Sequence, residues 1–305
     1  MNRTQKKNQF MRLLASWMPR IFILVVKKKA RQFPRSTSAR LSQYCRGKIQ
    51  QRRQIPKEKY RIGANAERKT DVSVIITNYN YSRFVQDAIL SVEQNCKRSN
   101  ESLKIELIVV DDCSTDNSVE IIRKALTAIT TPSIFLRSPR NVGVSMARNL
   151  GILQATGEYI FVLDADNKIF DNTLENLHRE IVQREAIAAY GKIKVVAINA
   201  EKELGTLSNR PFDMTSIIEK NYIDVMALYR ADALMELGGF DEKLLLYGWN
   251  KEDWEVWISL GKMNRPIAFF EAFTGVYTTK DDSLLSFAQG TITESSNYIR
   301  TKHRL

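Results

Sequence analysis

Two carboxylates one residue apart, Asp164 and Asp166, follow the apolar run Tyr159-Ile160-Phe161-Val162-Leu163, and Asn167 breaks the pattern immediately after them. Such a run reads as a buried strand. A carboxylate pair at its carboxyl end is placed to hold a hard divalent cation, Mn²⁺ or Mg²⁺. These ions are commonly bound through one or two carboxylates together with substrate phosphates. Open α/β sheets also take their ligands just outside the carboxyl ends of their strands.

Three further polar clusters stand at comparable places: Thr77-Asn78-Tyr79-Asn80, Asp111 to Asp116, and Asn141 to Asn149. Thr77 and Asp112 could hydrogen-bond the edge of a base, and Tyr79 could lie against its face. Arg148 could contact a base or a phosphate. The acidic pair could hold a ribose and a metal-bound diphosphate. Downstream, Glu252-Asp253 follows a glycine turn and Trp249; a carboxylate there could remove a proton from an attacking hydroxyl. Trp249 could stack on a sugar.

The elements that must position these groups alternate at short intervals. Strands are predicted over Val72–Ile76, Ile105–Val110, Ser133–Leu136 and the run ending at Asp164. Between them, helices are predicted from a Ser82 cap to Asn95, after Asp116, and over Val144–Leu153. This is a βαβ array with a mostly parallel sheet, and short connections bring the polar clusters to one sheet edge. Beyond Asn167 the pattern predicts a helix over Leu174–Arg184, a strand over Ile193–Ile198 and a loop over Glu201–Asp213. A short helix over Ala231–Leu237, a turn at Gly238-Gly239-Phe240-Asp241 and an amphipathic helix over Asp253–Leu260 complete it.

Charge divides the 305-residue chain. Residues 1–70 hold twenty of the 46 Lys and Arg but only two of the 34 acids, Glu58 and Glu67; the remainder is mildly acidic. Three domains are expected: a basic arm (1–70), a catalytic domain (71–290) and a C-terminal tail (291–305). The arm's apolar run Ile21–Val26 is six residues long, against roughly 20 for a bilayer span. A basic segment with an apolar patch suits either peripheral contact with an anionic membrane surface or a disordered, solvated tail. No nucleic-acid motif accompanies the charge, so no nucleic-acid partner is expected. Cys45, Cys96 and Cys113 show no paired spacing and point to a reducing compartment. His178 and His303 lie outside every cluster and are expected at the surface.

Six motifs together carry a resemblance. Val72 to Asn80, Val110 to Ser118, Asn141-Val142-Gly143 with Ala147 to Gly151, Gly157-Glu158-Tyr159 leading into Asp164-Ala165-Asp166, Gly238 to Glu242, and Glu252-Asp253-Trp254 occur in the order found in the family 2 glycosyltransferases. Cys113 stands where glycine is commoner. The resemblance implies the GT-A fold, an α/β nucleotide-diphospho-sugar transferase fold with a Rossmann-like, mostly parallel central sheet and flanking helices. It also implies metal-dependent transfer of a sugar from a nucleotide-diphospho-sugar, a UDP-sugar before others, to an acceptor hydroxyl.

By the same resemblance, Thr77, Tyr79, Asn80, Asp112 and Arg148 bind the donor. Asp164 meets ribose or metal, Asp166 is the metal ligand, and Asp253 is the base of an inverting displacement with Trp249 and Glu252 on the acceptor side. The closing segment departs from the family: Thr278 and Lys280 occupy positions where Arg and His are common, so Lys280 is expected to grip the diphosphate as a point charge. The expected acceptor is a glycan or glycolipid of a bacterial-type surface polymer, at the cytoplasmic face of a membrane. Two alternatives remain: an inactive nucleotide-sugar-binding protein of the same fold, and a nucleotidyltransferase of related fold. The latter expects a glycine-rich phosphate loop, which Asn78-Tyr79-Asn80-Tyr81 is not.

Overall fold

The central strands are almost uninterrupted runs of Val, Ile and Leu, the signature of a parallel sheet covered on both faces. In a computed structural model, β2 (Val72–Asn78), β3 (Ile105–Asp111), β4 (Ser133–Arg137) and β5 (Tyr159–Asp164) pair in parallel in the order β4-β3-β2-β5. The structure describes residues 58–62, 70–99, 103–198, 203–246, 251–279 and 289–305. Most of the expected arm, Trp249 and Lys280 lie outside these residues.

Helices α1 (Val85–Arg98), α2 (Ser118–Ala128) and α3 (Val144–Ile152) connect the parallel strands. α3 lies close on β2: a Cβ at Gly151 would sit 2.5 Å from Ile75 Cγ2. That approach fixes the height of Arg148 and Asn149 above the sheet.

Past β5 the sheet becomes mixed. It runs on through β9 (Leu228–Arg230), β7 (Ala188–Ala197), β10 (Ile267–Thr279) and β6 (Lys168–Ile169), and β8 (Glu203–Leu207) pairs with β7. β9 joins β5 and β7 in antiparallel fashion, whereas β7 and β10 are parallel. Helices α4 (Thr173–Gln183), α5 (Met214–Glu219), α6 (Ala231–Leu237), α7 (Glu252–Gly261) and α8 (Gln289–His303) complete the body. Among the described residues no helix is long and apolar enough to cross a membrane.

Several expectations need correction. Glu58–Ile62, counted with the arm, forms β1, the edge strand antiparallel to β4. Residues 203–207, read as loop, form β8, because the exposed edge of β7 supplies a ladder that local sequence does not reveal. Ser82 does not cap α1. The helix starts at Val85 after Phe84, and the Ser82 amide instead donates to Asp116 at 3.0 Å. The C-terminal segment is a docked helix, and His303 is buried with its Nε2 3.0 Å from Glu255 Oε1. His178 is half-buried, edge-on to Tyr159 at 5.0 Å.

Candidate active site

The register that aligns Thr77 of β2 with Asp164 of β5 brings the first and fourth clusters side by side. Thr77 Oγ1 donates to Asp164 Oδ1 at 3.1 Å. Asp164 also receives Arg148 Nη2 at 2.9 and 3.1 Å on its two oxygens. Arg148 itself is only 2% exposed; its Nη1 donates to Glu252 Oε1 at 2.9 Å, and its guanidinium lies 5.2 Å from the Phe240 ring. Burial opposes the guanidinium charge, but Asp164 and Glu252 outweigh it and hold Arg148 firmly protonated. One buried cation thus ties the acidic strand end to the amino end of α7.

Asp166 is half-buried beside the Tyr81 hydroxyl, which hydrogen-bonds to it. Burial, then the charge and hydrogen bond of Asp166, push the Tyr81 phenol upward, so it stays a donor. Tyr277 is raised likewise, by burial and then by Asp224, Asp166 and Asp164.

The second and third clusters brace one another. Asp112 accepts the amides of Val142 at 2.6 Å and Gly143 at 2.8 Å, fixing the loop that enters α3. Asn80, with φ of 60°, accepts from the Thr115 amide at 2.8 Å and donates its own amide to Ser114 Oγ at 2.9 Å. Cys113 also takes a positive φ of 65°, the backbone reason glycine suits that position. Tyr79 is half-buried beside this brace.

Across the cleft, Asp253 sits in the first turn of α7. The Trp254 amide donates to Oδ1 and Asn221 Nδ2 to Oδ2, each at 2.7 Å. Burial, followed by the like charges of Glu252 and Asp224, lifts its pKa to about 7, against the opposing Trp254 amide and Arg148. Asp224 is also lifted to about 7, chiefly by burial, with Asp164 and Asp166 adding to the effect. Its backbone oxygen accepts Trp257 Nε1 at 3.2 Å. Two carboxyls titrating near neutrality in one field are characteristic of acid–base sites. Sequence reasoning missed Asn221, Asp224 and Tyr81. No periodicity marks Asn221 or Asp224; Asp224 stands out only through the burial of its neighbours Ile223, Val225 and Met226 in the fold.

The donor set suits a hard cation. Asp164 and Asp166 offer carboxylate oxygens at one strand end, and Asp224 and Asp253 add negative potential that a cation would relieve. Arg148 already neutralises much of the charge of Asp164. Among the described residues no three His, Cys, Asp or Glu side chains converge to hold a metal. Two carboxylates completed by phosphate oxygens and water is the usual Mg²⁺ arrangement.

Comparison with known proteins agrees with this architecture. Residues 73–238, more than half the chain, match the family described as Glycosyl transferase family 2. An uncharacterized glycosyltransferase of Haemophilus influenzae is 28% identical over 158 residues, covering 52% of this chain and 60% of that protein. The glycosyltransferase GlyG of Streptococcus pneumoniae is 32% identical over 120 residues, 39% of this chain and 38% of the relative. The chain thus spans 60% or less of the length of these curated relatives. Among solved structures, Staphylococcus aureus TarS 1-349 with UDP-GlcNAc superposes with a TM-score of 0.58 at 21% identity, over 71% of this chain and 61% of that one. The Pyrobaculum calidifontis mannosyltransferase in complex with GDP-Man and Mn²⁺ gives 0.57 at 17% identity, over 91% and 75%. The fold is therefore the GT-A fold expected from the sequence. With its matched segment running from the second strand of the sheet to the Gly238 turn, the chain belongs to glycosyl transferase family 2.

Proposed function

We propose that the protein is an inverting glycosyltransferase, moving a sugar from a nucleotide-diphospho-sugar to an acceptor hydroxyl. The observation that carries this reading is Asp253: a half-buried carboxyl lifted to about 7, anchored by Asn221 and the Trp254 amide, opposite the acidic end of β5. A general base works best with a pKa near the working pH. In this reading Asp253 accepts the proton of the attacking hydroxyl while the sugar–phosphate bond breaks on the opposite face, giving one displacement and inverted configuration.

Thr77, Tyr79, Asn80 and Asp112 line the nucleotide side, and Asp164 and Asp166 face the diphosphate. Arg148 fixes Asp164 and Glu252 in mutual register. Asp166, with Asp164, would hold Mn²⁺ or Mg²⁺; when bound, the ion neutralises charge developing on the departing diphosphate. A UDP-sugar donor is favoured because UDP-GlcNAc is the ligand of one structural neighbour, although another is named with GDP-Man. A surface-polymer acceptor is favoured by relatives such as the poly(ribitol-phosphate) beta-N-acetylglucosaminyltransferase TarS, 30% identical over 104 residues.

The test is nucleotide release from a panel of UDP- and GDP-sugars by wild type and Asp253→Asn, with nucleotide binding measured in parallel. Retained binding with release lost in the variant supports the base assignment. Undiminished release in the variant refutes it. Binding without turnover by the wild type on every donor and acceptor would favour the non-catalytic reading.

A further inference from the structure

Beyond the residues matched to the family, α8 folds back onto the site. It touches both ends of the helix that carries Asp253. At the amino end, Lys251 Nζ donates to Ser296 Oγ at 2.6 Å, and Arg300 lies 5.9 Å from the Trp254 ring. In the middle, Glu255, 2% exposed, accepts Lys302 Nζ at 2.6 Å and lies 3.0 Å from His303 Nε2. At the carboxyl end, Lys262 Nζ donates to the His303 carbonyl at 2.6 Å.

The same helix also grips the glycine turn. Tyr298 Oη at 2.7 Å and Lys302 Nζ at 2.9 Å both donate to Asp241 Oδ2. That turn receives Asn149, the neighbour of Arg148: Asn149 Nδ2 donates to the Phe240 carbonyl at 2.9 Å, and the Phe240 amide donates to Asn149 Oδ1 at 2.8 Å. Lys302 is therefore shared between the base helix and the turn that supports the donor-side arginine. Ile299 and Ser295, both fully buried, seat the helix.

We infer that α8 is a positioning element for the transfer site: it locks the base-bearing helix against the Gly238–Asp241 turn, with Asp241 and Glu255 as anchors and Tyr298, Lys302 and His303 as the positioning residues. This rests on the glycosyltransferase reading. Through Asp241 and Glu255 they set the distance between Asp253 and the end of β5. Displacement of a reacting group by about 1 Å can cost on the order of 100-fold in rate.

The test compares the full chain with the double variant Tyr298→Phe/Lys302→Ala, with Lys302→Arg as the conservative control. UDP release from UDP-N-acetylglucosamine, UDP-glucose and UDP-galactose is followed with Mn²⁺ and water as acceptor. A kcat lower by about tenfold or more, with donor KM within about twofold, is expected for a misplaced base; Lys302→Arg should recover most of it. An unchanged kcat, or a KM rising in step with the loss, overturns the inference. Hydrogen–deuterium exchange provides a readout independent of turnover. The amides of residues 251–256 should exchange faster in the double variant while β2 and β5 are unaffected; unaltered exchange there equally overturns it. Running Asp253→Asn alongside separates the two levels. If that variant keeps its turnover, the base assignment fails; if Asp253→Asn loses turnover while the double variant keeps it, the positioning role alone fails.

Discussion

Replacing Asp253 with Asn should remove catalysis and, above neutral pH, stabilise the fold. The carboxyl titrates at about 7 in the folded protein, against an ordinary 3.8. The folded state holds this proton more tightly than the unfolded chain does. The favourable contribution is therefore complete below about pH 4 and is lost as pH rises through 7. Each pKa unit corresponds to 1.36 kcal/mol, so the ionised carboxylate costs the fold up to about 4 kcal/mol at pH 8.5.

Asparagine escapes that cost but keeps only half the hydrogen bonding. Its oxygen can still accept the Trp254 amide, whereas its NH₂ meets the NH₂ of Asn221, at a loss of about 1 kcal/mol. Asn221 cannot easily turn over, since its Oδ1 accepts the Ile223 amide at 3.2 Å. The net expectation is stabilisation of about 3 kcal/mol at pH 8.5, shrinking to less than about 1 kcal/mol at pH 5 and turning into destabilisation of about 1 kcal/mol near pH 3. Thermal unfolding of both proteins across this range reads it directly, with shifts of several degrees for a fold of this size. A variant less stable than wild type at pH 8.5 would refute the reasoning, because it would mean Asp253 is comfortably ionised in the fold.

Other expectations follow from single contacts. Arg148→Ala strands Asp164 and Glu252 beside one another and should destabilise by about 3–5 kcal/mol, measured by urea unfolding; a loss under 1 kcal/mol would mean the buried bridge is dispensable. Gly239→Ala places a Cβ at a φ of 81° and within reach of Asn149 Oδ1, so Tm should fall by an amount corresponding to at least about 1–3 kcal/mol. Unchanged stability there would show that the turn relaxes freely.

Much of this site is legible in the chain because its parts sit at strand ends, where an apolar run stops abruptly at polar residues. Thr77, Asp112 and Asp164 are found this way, and the register of β2 on β5 then brings Thr77 and Asp164 together. What the pattern conceals is how the side chains divide their work. Asp112 and Asn80, read as donor-binding groups, spend hydrogen bonds bracing the loops around them. Arg148, read as a base or phosphate contact, is a buried bridge between two acids. Asn221 and Asp224 lie in a stretch without regular structure, where no periodicity marks them, and only tertiary folding carries them to Asp253. β1, β8 and the docking of α8 share that cause: each depends on a partner distant in sequence.

The proposed donor site lies at the end of β5, where the carboxylates of Asp164 and Asp166 would engage a metal-bound diphosphate. Calorimetric titration of UDP and GDP into wild type and Asp166→Asn, each with Mn²⁺ and with EDTA, tests it most directly. Binding of one nucleotide is expected to require Mn²⁺ in the wild type and to be lost in the variant. Equal binding in EDTA, or undiminished Mn²⁺-dependent binding by Asp166→Asn, would contradict it.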